Sequence, residues 1–315
     1  MSNTMPNRKA FTRTLTELAQ KDPSIFVVTS DARGSVTLDE FAQLLPNQFV
    51  EVGIAEQNEV GIAAGMASFG KKVFVCAPAC FLSTRSLEQV KVDVIYSGNP
   101  VRVIGISGGV SYGALGFSHQ SLHDFAVMRT FPNMVVIAPC DRFQTEAVTR
   151  WLVKHDVPAY VRMGRSPVPD IYTTADESFR FGKANLVRPG CDGTIIATGE
   201  MVAHAVDASR LLAGQGLQIR VLDMHTIKPI DREAILLAAQ ETGAILTLEE
   251  HSIFGGLGAA IAEITGQEFP VPLAIVGVAD EIPVEGSAND VLNHYGMTGP
   301  SVAQRMMQLL QKRHS

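Results

Sequence analysis

A basic excess, a long apolar run and a cysteine framework are all missing from this sequence, and each absence removes a class of function. The chain of 315 residues carries 26 Lys and Arg against 32 Asp and Glu, a net charge of -6. With no basic stripe for a phosphate backbone, nucleic acid is not an expected partner. No run of about 18 uninterrupted apolar residues occurs, and the start MSNTMPNRKAFTRTL is polar and lacks an apolar signal core. No membrane association is expected, and a cytoplasmic location is the simplest expectation. The four cysteines, Cys76, Cys80, Cys140 and Cys191, have neither metal-site spacing nor disulfide density, so all are expected reduced and packed. Low-complexity tracts and short internal repeats are missing too.

What is present is a regular alternation. Helical periods and short apolar strands follow one another: AFTRTLTELAQ then IFVVTS, LEQVKVDVIYS then VRVIGIS, SLHDFAVMRTF then MVVIAP. This is the pattern of an open, largely parallel α/β sheet. A second round begins after residue 180 with GTIIATG, VAHAVDASRLLAGQG and LQIRVLDM. Between the two, GRSPVPDIYTTADES at 164–178 has prolines and polar residues without apolar period, and reads as a linker. Two α/β domains are expected, 1–165 and 181–315, joined through 166–180.

Three stretches carry candidate chemistry. In FVEVGIAEQNEVGIAAGMASFG, residues 49–70, Glu56 stands between a strand-like and a helix-like segment. A glutamate in a first helical turn can simply complement the helix dipole. It also follows a strand at the sheet edge where open α/β folds bind ligands. Gly61, Ala63, Ala64 and Gly65 behind it would let another backbone come close, and Gly70 makes a stop. The second stretch, SGGVSYGALGFSHQSLHD at 107–124, is a loop with four glycines that delivers His119 and Gln120 to the next helix. His123 and Asp124 in that helix are better explained by packing. In the third, YVRMGRS, Arg162 and Arg165 near a strand exit suit either surface ion pairs or bidentate phosphate recognition.

Together with LDMHTIKPID and EEHSIFGGLGAAIAE, the first two stretches resemble the C-terminal half of a transketolase, of the kind encoded as a separate subunit. The resemblance spans nearly the whole chain and implies a pyrimidine-binding domain followed by a transketolase C-terminal domain. It implies thiamine diphosphate as cofactor, with Glu56 matching the glutamate that shares a proton with the aminopyrimidine ring. A carboxylate kept from bulk water holds protons more readily, which suits that task. Phe81 in ACFLSTRSLEQ resembles the aromatic residue that stacks on the same ring. His119 matches the histidine that hydrogen-bonds the donor sugar near the reacting carbon. Arg8, Ser35 and Arg162 match the family's sugar-phosphate contacts, and Asp31 is placed near the cofactor without a definite role.

Departures from the family pattern bear on substrate and assembly. Leu115 stands where an aspartate reads a sugar hydroxyl, and Ser107 where a histidine is expected. Losing such a partner changes which hydroxyl is read, so the expected donor is an unusual ketose phosphate such as apulose 4-phosphate, against an apolar wall at Leu115. The Gly-Asp-Gly signature that holds Mg²⁺ and the diphosphate is missing; GCDGT at 190–194 reads as a turn with a single aspartate. The resemblance thus implies a separate diphosphate-binding subunit carrying the Mg²⁺ ligands. A heterotetramer of two such chains and two partners is expected, with Glu56's helix and SIFGGLGAAIAE as packing surfaces. Rival expectations are a deoxyxylulose-phosphate synthase-like or 2-oxoacid dehydrogenase β-like subunit, and a non-catalytic scaffold. His251 is expected to organise the second domain rather than touch substrate.

Overall fold

A computed structural model describes residues 4–312 and shows two open sheets, each covered by helices. In spatial order the first sheet runs Thr226–Lys228, Val135–Ile137, Ala159–Met163, Arg102–Ile106, Lys72–Pro78, Ile25–Thr29, Phe49–Glu51. Its last six strands are mutually parallel. The second sheet runs Leu273–Val278, Ile245–Ser252, Gly193–Ala197, Ile219–Asp223, Asn185–Arg188, with only the last antiparallel to its neighbour. This is the α/β architecture expected from the alternation.

Composition explains the parallel arrangement. Strands covered on both faces must be apolar on both, and Val73, Phe74, Val75, Cys76 and Ala77 are all fully buried in succession. The amphipathic helices Asn7–Ala19 and Arg142–Lys154 pack together. Asp141 starts the second of these, its side chain accepting from Gln144 N at 2.9 Å. Two expected helices are shorter or wider than their period suggests. SLHDFAVMRTF is helical only over Asp124–Met128, and LEQVKVDVIYS opens into a π-type coil over Val90–Tyr96 against the helix Glu56–Ser68.

The segment that reads as a linker is tied down along its first half. Pro167–Pro169 pairs antiparallel with Thr4–Pro6, Arg142 forms a bidentate pair with Asp170 at 2.9 and 2.9 Å, and the amides of Ile171 and Tyr172 both donate to Asp141. Thr226–Lys228 crosses from the second half of the chain to complete the first sheet. A buried hub joins the halves: Asp223 accepts from Gln144 Nε2 at 2.6 Å and from the Tyr172 hydroxyl at 2.7 Å. Cys76, Cys80 and Cys140 are buried thiols, whereas Cys191 is exposed in a turn, contrary to the expectation that all four pack.

Candidate active site

Five parallel strands of the first sheet end on the same edge, and each hands the chain to a candidate residue. Asp31 and Ser35 follow Ile25–Thr29, Glu56 follows Phe49–Glu51, and Phe81 follows Lys72–Pro78. Ser107 and the loop to His119 follow Arg102–Ile106, and Arg165 follows Ala159–Met163. The carboxyl edge of an open α/β sheet is where loops converge without having to cross the core.

Glu56 opens the helix Glu56–Ser68 and has only 5% of its surface exposed. Phe81 lies half-buried in the short helix Ala79–Leu82. Between them sits Arg85, whose Nη1 donates to Glu56 Oε1 at 2.7 Å while its guanidinium lies 4.0 Å from the Phe81 ring centre. The two side chains thus form a notch, carboxylate on one wall and aromatic face on the other, that already accepts a flat nitrogen-bearing group. One helical turn on, Glu59 is fully buried and accepts from Cys76 N at 3.1 Å. Burial, with Glu56 and Glu51 adding, pushes it up to about 8, so Glu59 carries a proton at neutral pH.

His119 stands next to the notch. Its ring meets Phe81 edge-on at 5.3 Å and Tyr112 at 5.4 Å, and Nδ1 lies 2.9 Å from the Ser118 hydroxyl. The loop carrying it is held from outside its own sheet. Glu250, at the end of Ile245–Ser252, accepts from Val110 N at 2.7 Å, and Ser252 N donates to Leu122 O at 3.1 Å. Gly109 has φ +60, and a Cβ there would lie 2.4 Å from Glu250; a side chain has neither the conformation nor the space. Gln120 is buried and donates to Val284 O at 3.3 Å. Ser107 is buried with φ +59 and an unpartnered hydroxyl. Leu115 is 52% exposed and lines an open surface cavity that it shares with Tyr112 and Arg165.

Beyond Tyr112 lies an anion-suited end. Arg165 stacks over Tyr112 at 4.5 Å, and burial together with Arg165 holds the neighbouring Arg8 below its ordinary value. Arg8 Nη1 donates to the backbone carbonyl of Ser35, so those two expected contacts do come together. Arg162 does not join them. It lies inside the strand rather than after it, 6% exposed, paired with Asp124 at 3.2 Å and stacked 3.9 Å over Phe125. Its guanidinium is engaged in the core beneath the loop, whereas Arg165, two residues past the strand end, lies beside Tyr112 and Arg8. Asp31 is exposed with φ +51, its amide donating to Glu51 Oε1 at 2.7 Å. Tyr112 and Arg85 carried no sequence signal beyond lying near Phe81 and His119.

His251 is fully buried, stacked 5.4 Å from Phe125, with Nδ1 2.8 Å from Ser252 O. It touches the helix under the loop and not the notch. Gly256 and Gly258 make room inside this chain, for Glu249 and Ile275. Glu249 accepts from Leu257 N and Gly258 N at 2.7 and 2.7 Å, capping the helix Leu257–Glu268. Among the described residues Gly65 faces nothing and Gly61 meets only Asp93, so the close approach expected there has no backbone partner among them.

A family model for the transketolase pyrimidine binding domain matches residues 3–170, and one for the transketolase C-terminal domain matches 182–302. The chain belongs to the transketolase family. Similar to this transketolase chain is one of the subunits of the apulose-4-phosphate transketolase of Phocaeicola vulgatus, 55% identical over 99% of this chain and 99% of that one. The 6-deoxy-6-sulfo-D-fructose transketolase subunit SqwH of a Clostridium species is 38% identical over 98% of this chain and 95% of that one. Among solved structures, a split gene transketolase in the form of an inactive beta4 tetramer superposes with TM-score 0.87 at 37% identity, covering 99% of this chain and 98% of its own. The full-length match to separate subunits agrees with a transketolase divided between two polypeptides.

Proposed function

We propose that this chain is the pyrimidine-binding half of a two-component transketolase that takes apulose 4-phosphate as ketol donor. The observation that carries the reading is the continuous track from the Glu56 and Phe81 notch, past His119 and Tyr112, to the Arg165 and Arg8 pair. One end suits a flat nitrogen heterocycle and the other a phosphate.

Thiamine diphosphate fits the notch, since Arg85's planar guanidinium already makes one contact of each kind, a stack and a charge-assisted bond. When bound, it supplies the nucleophilic carbon and the electron sink needed to break the bond beside a ketose carbonyl. Glu56 would hold a proton toward the bound ring, and Phe81 would stack on it. His119, steadied by Phe81 and Tyr112, orients the donor's oxygens. Arg165 and Arg8, with Ser35, hold the phosphate at the far end, so that remote binding energy places the reacting carbon. Among the described residues no cluster of three or more His, Cys, Asp or Glu suits a metal ion; Mg²⁺ and the diphosphate are assigned to the partner subunit. The assembly is proposed as a heterotetramer, with Gly61 and Gly65 facing a second subunit. The donor assignment rests on the relative's name together with Leu115 and Ser107. Among the described residues no helix is long and apolar enough to cross a membrane, and the cytoplasm is the proposed location.

The test mixes this chain with the diphosphate-binding subunit, thiamine diphosphate and Mg²⁺, and compares apulose 4-phosphate with xylulose 5-phosphate. Turnover is expected only with both chains, faster for apulose 4-phosphate, and about 100-fold or more lower in Glu56→Gln. Equal turnover of the two donors would refute the substrate. A stable complex with no turnover of any donor would leave a scaffold as the better description.

A further inference from the structure

Arg85 has no part in the chemistry above, yet it fills the middle of the notch. It rises from the turn after Ala79–Leu82, its amide donating to Phe81 O at 2.8 Å. Its side chain is 48% exposed while that of Glu56 is only 6% exposed, so the arginine reaches in from solvent to a carboxylate that solvent barely touches. The guanidinium plane stacks on Phe81 and one edge donates to Glu56. A flat heterocycle bound between the same two side chains would occupy the space in which Arg85 covers the Phe81 face and reaches Glu56 Oε1. The two cannot be there at once.

We propose that Arg85 is a displaceable plug, taking the place of the cofactor's aminopyrimidine ring in the cofactor-free chain and swinging out to solvent when the cofactor loads. The inference rests on the reading that Glu56 and Phe81 receive that ring. The plug is free to leave on one side only: Arg85 can swing into solvent, and the incoming ring then covers again the buried carboxylate and the half-buried aromatic face that the arginine gives up. Until cofactor arrives it leaves neither the carboxylate unpaired nor the aromatic face bare. A notch open for only a fraction of the time binds its ligand more weakly by that fraction, and the plug therefore sets apparent cofactor affinity without touching the chemistry.

Calorimetric titration of thiamine diphosphate with Mg²⁺ into the assembled two-subunit complex tests this, comparing the native chain with Arg85→Met and Arg85→Lys. If the plug covers the notch about nine-tenths of the time, Arg85→Met binds roughly tenfold tighter than native. Arg85→Lys, which keeps the charge but loses the planar fork, falls between them and also serves if the methionine variant does not assemble. Native binding with Arg85→Met equal or weaker, at unchanged melting temperature, overturns the plug and leaves the proposed function standing. A complex that assembles and melts cooperatively but binds no cofactor, native and variants alike, overturns the proposed function and the plug with it.

Discussion

Two arginines three positions apart, Arg162 and Arg165, have opposite fates because one lies within a strand and the other past its end. Arg162 is enclosed with Asp124, which also accepts from the Tyr160 hydroxyl at 2.7 Å. Removing one partner of such a pair strands a buried charge. Arg162→Met is therefore expected to cost about 3–5 kcal/mol in urea unfolding of the chain. Arg165, stacked on Tyr112 and next to Arg8, is free of that duty. Arg165→Gln is expected to leave stability within about 0.5 kcal/mol. It should raise KM for a phosphorylated donor roughly tenfold or more, with a smaller change in kcat, in steady-state assays of the assembled complex. A KM unchanged by Arg165→Gln would remove that residue from the phosphate end.

At the scale of elements, the loop at 107–124 is shaped by the second sheet although it grows from the first. Glu250 holds Val110 and occupies the space where Gly109 has no side chain, while Gly109 and Ser121 bridge the loop's two ends. Gly109→Ala would push on Glu250 and force an unfavourable φ. The loop and His119 with it should shift, and a displacement near 1 Å at a reacting group costs up to about 100-fold in rate. The expected result is a kcat at least about tenfold lower, with faster amide exchange confined to the loop. Exchange rising across both sheets would mean that the glycine serves the fold as a whole.

For the whole molecule, burial sets the response to pH. Glu59 and Glu200 are each pushed up to about 8, and Glu250 and Asp223 to about 7, with burial the largest cause in every case. The unfolded chain releases these protons in the ordinary carboxylate range. Between that range and pH about 8 the native state holds more protons than the unfolded one, so stability falls as pH rises. Burial lowers His225 to about 4 and lowers His123 and His204, which costs stability only on acidification below the ordinary histidine range. From pH 6.5 to 8.5 the carboxyls set the trend, opposed at the lower end by the last protons on the unfolded chain's histidines and joined at the upper end by the thiols of Cys76, Cys80 and Cys140, which burial also pushes up. The melting temperature of the chain should drop by roughly 5 °C across that interval, and Glu59→Gln, which carries no proton to lose, should show a shallower drop. A flat profile in the native chain would mean these carboxyls are ionised throughout.

Local pattern was enough to read much of this protein from its sequence. Strand and helix periods are set by neighbours a few residues away, so the two α/β sheets and the placing of Glu56 at a strand exit were legible in the chain. The absence of a Gly-Asp-Gly signature was legible in the same way and pointed to a second subunit. Other features depend on residues far apart in sequence. Thr226–Lys228 completes a sheet whose other strands end by Met163, and Glu250 fixes a loop 140 residues earlier. Which arginine faces the site, how exposed Leu115 is, and why Cys191 alone among the cysteines meets solvent were decided by side-chain direction once the strands were paired. Arg85 shows the limit most clearly. No spacing marks it, because its position between Glu56 and Phe81 exists only when separate strand exits have been brought to one edge.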